Sequence, residues 1–143
     1  MRYLAIDLGD KRTGLALGDS QTRLASPVEM IGVPLALRGG GALIDAIQEA
    51  LDRLVGAGAP CELVIGVPLI DGKETARSKL VRAFGKSVAE ATGRIVHYQD
   101  ESLTSSDADW SMARSGLTRQ QKKARRDALA AAAILGDFLS VLP

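Results

Sequence analysis

Three acidic positions stand where a folding chain has little structural use for a charge. Asp7 ends the apolar run Tyr3-Leu4-Ala5-Ile6. Asp100-Glu101 ends a second run, Arg94-Ile95-Val96-His97-Tyr98-Gln99. Asp127 falls on the apolar stripe of the last predicted helix, one turn before Ala131. Carboxylates are seldom left inside a protein unless something positive holds them. Two unit charges ~4 Å apart repel by roughly 4 kcal/mol at an effective dielectric of about 20, so one of several gathered acids would stay protonated. A divalent cation removes that conflict, and an all-oxygen ligand set favours Mg²⁺ or Mn²⁺. Two such ions about 3.5–4 Å apart can activate water on one side of a phosphodiester and stabilise the leaving oxygen on the other. Each acid also has a plainer reading: Asp7 as a turn residue, Asp100-Glu101 as capping acids before Thr104, and Asp127 as an ion-pair partner of its basic neighbours. A shared site accounts for all three at once.

Strand alternation puts Tyr3, Ala5 and Asp7 on one face, and Ile95, His97, Gln99 and Glu101 on one face with Asp100 on the other. Only one of Asp100 and Glu101 can therefore meet Asp7 across a sheet, and alternation alone leaves the choice open. On the last helix Asp127, Ala131, Ile134 and Phe138 recur at helical spacing, which carries Asp127 towards the sheet. The same helix begins in a basic segment. Arg114, Arg119, Lys122, Lys123, Arg125 and Arg126 occur with no acid between them, and Lys11 and Arg12 add charge in the first turn. A positive rim leading to carboxylates suits a phosphodiester substrate. If ~4–6 of these residues meet phosphates, binding weakens steeply with salt. His97 reads as a packed strand residue and Trp110 as a hydrophobic anchor.

The elements that position these residues follow from pattern. Residues 2–8 read as a buried strand, 9–12 as a turn and 13–18 as its hairpin partner. Residues 23–33 are extended, with Pro27 and Pro34 confining them to an edge or a bulge. A glycine loop at 38–41 precedes a helix marked by Leu43, Ile44, Ile47, Ala50, Leu51 and Leu54. Residues 62–67 form an almost wholly apolar strand, covered on both faces, and 68–72 a loop. Ala76, Leu80, Ala83, Phe84, Val88 and Ala91 mark a second helix, stopped by Thr92-Gly93. A strand over 94–100, a short helix from Thr104 to Arg114, a break at 115–118 and a last helix from about Lys122 to Val141 complete the chain. The order β-β-β-α-β-α-β-α-α is that of an α/β protein. It predicts a mixed five-stranded sheet, antiparallel over its first three strands and then αβαβ, flanked by helices in a single domain over residues 1–143.

The 143 residues suit one domain, and a hydrophobic content of 46% supports a substantial core. Aromatic residues are only 3%, which argues against a base-stacking platform. A net charge of +1 supplies no global field for nucleic acid, so any such function needs a local patch. Cys61 stands alone, which excludes an internal disulfide and a zinc cluster and leaves a small buried residue at a strand start. Met1-Arg2-Tyr3-Leu4 runs straight into a strand without a signal-peptide stretch, and no segment approaches the ~20 apolar residues of a membrane span. A cytoplasmic protein without membrane attachment is expected.

Four motifs in order resemble those of the YqgF/RuvX family. They are Asp7-Leu8-Gly9-Asp10-Lys11-Arg12-Thr13-Gly14-Leu15-Ala16, Gly66-Val67-Pro68-Leu69 with Asp71-Gly72, Asp100-Glu101-Ser102-Leu103-Thr104-Ser105, and Asp127-Ala128-Leu129-Ala130-Ala131. Family members are described as Holliday junction resolvases and as nucleases that process the 5′ end of pre-16S ribosomal RNA. The resemblance implies an RNase H-like fold and a metal-dependent endonuclease of ribosome biogenesis with a triad of Asp7, Glu101 and Asp127, choosing Glu101 over Asp100. It implies structured RNA or branched DNA as substrate, and a monomer or homodimer. A resolvase would act on branched DNA as a dimer. A ribosome-assembly factor that binds RNA without cutting it is the non-catalytic alternative. Asp-Leu-Gly before a basic turn also opens the nucleotide-binding lobes of the actin, Hsp70 and sugar-kinase superfamily, but those enclose ATP with two lobes. The chain departs from the family pattern at Ser102, where the motif has Arg, at Ser105, where it has Thr, and at Arg126, where it has an apolar residue. Loss of the Arg removes a planar, bidentate phosphate donor.

Overall fold

The computed structural model describes residues 1–102 and 119–143, with the side chains of 102 and 119–125 outside that description. Strand β1 (Arg2–Asp7) pairs antiparallel with β2 (Thr13–Asp19), which pairs antiparallel with β3 (Ala25–Ile31). On its other side β1 is parallel to β4 (Glu62–Leu69), and β4 is parallel to β5 (Val96–Ser102). The result is one five-stranded mixed sheet in the order β3-β2-β1-β4-β5. Pro27 costs the ladder little because β3 is an edge strand and its register shifts between Leu15 and Ala16.

Alternation along β1 and β4 divides the core in two. Leu4, Ile6, Leu63, Ile65 and Val67 pack against helices α1 (Gly41–Leu54) and α2 (Ala76–Thr92). Tyr3, Ala5, Ala16 and Val64 pack on the opposite face against Ala131, Ile134, Leu135, Phe138 and Leu139 of helix α3 (Arg119–Ser140). Asp7 continues the Tyr3-Ala5 series and so faces α3. His97 is packed as expected, within ring contact of Tyr3 and Phe138, with Nε2 2.7 Å from Glu62 Oε1. Cys61 is buried. No helix among the described residues is long and apolar enough to cross a membrane.

Several boundaries differ from the sequence reading. Strand β4 runs on through Pro68 and Leu69, which pair with Glu101 and Ser102. Pairing of β4 with β1 has already ended at Ile65, so the missing amide of Pro68 breaks no bond on that side. Strand β5 is correspondingly shifted to 96–102, and α3 begins at Arg119 rather than Lys122. Residues 37–40 form a short 3-10 turn leading into α1 rather than an open loop.

The buried face of α2 also differs. It comprises Ser78, Val81, Phe84, Gly85 and Val88, leaving Leu80 exposed. Thr75 and Ser78 form a reciprocal capping box that sets the phase of the helix. Tyr98 occupies the space that a side chain at Gly85 would need. The expected short helix over 104–114, the break at 115–118, Trp110 and Arg114 lie outside the described residues.

Candidate active site

The site forms where the carboxyl ends of β1 and β5 meet α3. Asp7, the last residue of β1, pairs directly with Gly14 of β2. A Cβ on Gly14 would collide with the backbone oxygen of Asp127. Only glycine therefore lets α3 approach closely enough to set Asp127 beside Asp7. The proximity is felt electrostatically. Burial pushes the Asp7 carboxyl up to about 6, the charge of Asp127 adds to that, and Arg77 and Arg126 oppose it.

Asp127 itself is held by Arg12, whose Nε donates to its Oδ2 at 3.2 Å. Arg12 comes from the turn after β1, so one short segment supplies both an acid of the site and the cation bonded to another. Lys11 in the same turn is exposed. Arg119, Lys122, Lys123 and Arg125 lie on the first turns of α3, and their side chains fall outside the described residues.

Glu101 lies on the α3 face of β5, and Asp100 lies on the opposite face, where Arg82 of α2 donates to it at 3.2 Å. Burial raises the Glu101 carboxyl to about 8, helped by a hydrogen bond with Asp137 and by the charges of Asp137, Asp7 and Asp100. Its Oε1 is enclosed and has no hydrogen-bond partner among the described residues. The acids thus form two neighbouring pairs, Asp7 with Asp127 and Glu101 with Asp137, linked by the field between Asp7 and Glu101. Among the described residues no group of three His, Cys, Asp or Glu could hold a metal ion together.

The donor set still suits a hard divalent cation. It is all oxygen, it contains a buried orphan acceptor, and burial beside other carboxylates raises the proton affinity of Asp7 and Glu101. Mg²⁺ commonly takes only one or two carboxylates, its remaining ligands being water and substrate phosphate. Asp137 and Arg77 escaped the sequence reading. Asp137 is a lone exposed acid between Gly136 and Phe138, and Arg77 is one of several basic residues along 73–82, so neither carries a distinctive signal before the chain is folded.

Comparison with known proteins adds to this geometry. The profile of the RuvX family, described as Holliday junction resolvase, matches residues 1–141. A protein of Anaeromyxobacter sp. (strain Fw109-5), named "Putative pre-16S rRNA nuclease", is 36% identical over 140 residues, covering 97% of this chain and 96% of its own. A protein of the same name from Lactococcus lactis subsp. lactis is 32% identical over 139 residues, covering 96% and 93%. In fold, the chain resembles Thermus thermophilus RuvC with a TM-score of 0.54 at 16% identity, covering 97% of this chain and 94% of that one. That likeness bears on the fold and agrees with the RNase H-like architecture expected from the motifs.

Proposed function

This chain belongs to the RuvX family and is a nuclease, a hydrolase of phosphodiester bonds, and we propose that it cuts structured RNA at the 5′ end of precursor 16S ribosomal RNA in the cytoplasm. The names of relatives aligned over nearly their whole length support that substrate. The observation that carries the catalytic reading is the burial of Asp7 beside Asp127, with Glu101 on the same face of the sheet.

In this reading Asp7, Glu101 and Asp127 are the residues that would hold Mg²⁺ or Mn²⁺. When bound, the ions would supply Lewis-acid stabilisation of phosphoryl oxygens and a lowered pKa of water. Arg12 fixes the Asp127 carboxylate in place. Lys11 and Arg12, together with the positive charge that the sequence puts at the start of α3 (Arg119, Lys122, Lys123, Arg125 and Arg126), would attract the phosphate backbone.

The deciding experiment is cleavage of an RNA carrying the precursor 5′ end, with Mg²⁺ or Mn²⁺. Asp7→Asn and Asp127→Asn are expected to lose nearly all activity while remaining folded; undiminished cleavage by either would exclude the site. The family's description, Holliday junction resolvase, supports a second reading, resolution of branched DNA, which would call for a homodimer. Two strands must then be cut by two symmetric sites. A monomer on four-way DNA that releases no paired products would rule it out.

A further inference from the structure

Arg77, in the first turn of α2, reaches across the carboxyl edge of the sheet to the segment that leaves Asp7. Its Nη2 donates to the backbone oxygen of Leu8 at 3.0 Å. Its Nη1 donates to Asp10 Oδ1 at 2.6 Å. The two contacts differ in kind. Leu8 is buried, and its carbonyl anchors one prong of the guanidinium to the wall of the site. Asp10 is 80% exposed, so the other prong carries an anion that borders open solvent. An ion pair of that exposure adds little stability and is readily exchanged. A phosphodiester oxygen offers the same acceptor to the same fork.

From this placement, and resting on the nuclease reading above, we propose that Arg77 is a substrate-positioning residue and that Asp10 is its placeholder, displaced when a backbone phosphate of the nucleic acid takes the exposed prong. Two further observations agree. Arg77 is close enough to Asp7 for its charge to lower the proton affinity of that carboxyl. The nearby Arg12 has its Nε committed to Asp127, and Arg82 is bonded to Glu74 and Asp100 and lies over the Tyr98 ring. Arg77 thus brings a guanidinium fork from α2 to the segment that follows Asp7.

The test is equilibrium binding, by fluorescence anisotropy in chelator, of labelled precursor 5′-end RNA and of labelled four-way DNA across a range of salt. Arg77→Ala is expected to weaken binding about tenfold and to reduce the log–log salt slope by about one. Arg77→Lys keeps the charge but loses the fork and falls between. Asp10→Ala, at an exposed position, is expected to tighten binding severalfold. The double variant is expected to match Arg77→Ala, because Asp10 acts only through Arg77. The proposal is overturned if Asp10→Ala weakens binding as Arg77→Ala does, which would make the pair a structural clasp. It is equally overturned if neither variant changes affinity, or if Asp10→Ala still tightens binding when Arg77 is absent. Wild-type protein that binds four-way DNA but not RNA would sink the RNA reading while the pair is still tested on DNA; binding to neither would end both.

Discussion

Asp7 and Glu101 hold protons that ordinary carboxylates would have released, at about 6 and about 8. Both shifts are upward and come first from burial. The folded chain therefore binds more protons than the unfolded chain in this range, and the stability linked to them is full below the usual carboxylate range. It is lost as pH rises through about 6 for Asp7 and about 8 for Glu101. Asp19 and Glu74 shift downward, Asp19 through the amide of Gln21 and Glu74 through Ser78, so their contribution fades only on acidification below that range. In chelator, the melting temperature is expected to fall between about pH 5 and about pH 8. Asp7→Asn and Glu101→Gln should each flatten the fall. A wild-type melting temperature that rises or holds level over that interval would contradict the burial of these carboxyls. Arg12 acts one step further out. Arg12→Ala leaves Asp127 without its bonded guanidinium, and loss of such a supporting partner typically costs about 10–100-fold in metal affinity. Calorimetric titration with Mn²⁺ checks it, and an unchanged affinity would show that Asp127 needs no such support.

Gly14 and Gly136 give opposite expectations within one packing layer. A methyl group at Gly14 collides with the backbone of α3 at Asp127, a place where nothing flexible can give way. Gly14→Ala is expected to cost about 1–3 kcal/mol by overpacking and to remove cleavage, because α3 must lift at the site. Gly136 lies inside α3 with nothing within 4 Å of an added Cβ. Gly136→Ala is expected to stabilise by roughly 0.5–1 kcal/mol, since alanine loses less backbone entropy in a helix. Urea denaturation of the two variants measures both signs, and a stabilised Gly14→Ala protein would mean that α3 does not seat on β2 as described. Much of this architecture can be read before folding. The β1-β2 hairpin, the edge position of Pro27 and the apolar stripe of α3 follow from period and from proline. The face of α2 does not, because it is chosen by a capping box and by small residues, Ser78 and Gly85, that make room for close packing. The approach of Asp7 to Asp127 follows from faces and spacing. The partnership of Glu101 with Asp137 and the reach of Arg77 depend on how α2 and α3 cross the sheet, and no local pattern encodes that.

A net charge of +1 means that repulsion in this molecule is local, concentrated where α3 carries its acids to the strand ends. The same helix covers the smaller core, with Leu135 fully buried against the sheet. Site assembly and the closure of that core are therefore one event, and a cation that neutralises the acids must stabilise the packing of α3. Leu135→Ala is expected to cost about 2–5 kcal/mol through the cavity it leaves. Mn²⁺ at a hundredfold excess over its dissociation constant should restore about 2.7 kcal/mol by mass action. Added KCl of equal ionic strength should restore almost none of it, because a monovalent atmosphere screens but does not ligate. Combining Leu135→Ala with Asp127→Asn should remove the Mn²⁺ effect and leave the cavity penalty. The four melting curves decide the matter: rescue by KCl would point to general screening, and rescue that survives Asp127→Asn would place the cation elsewhere on the molecule.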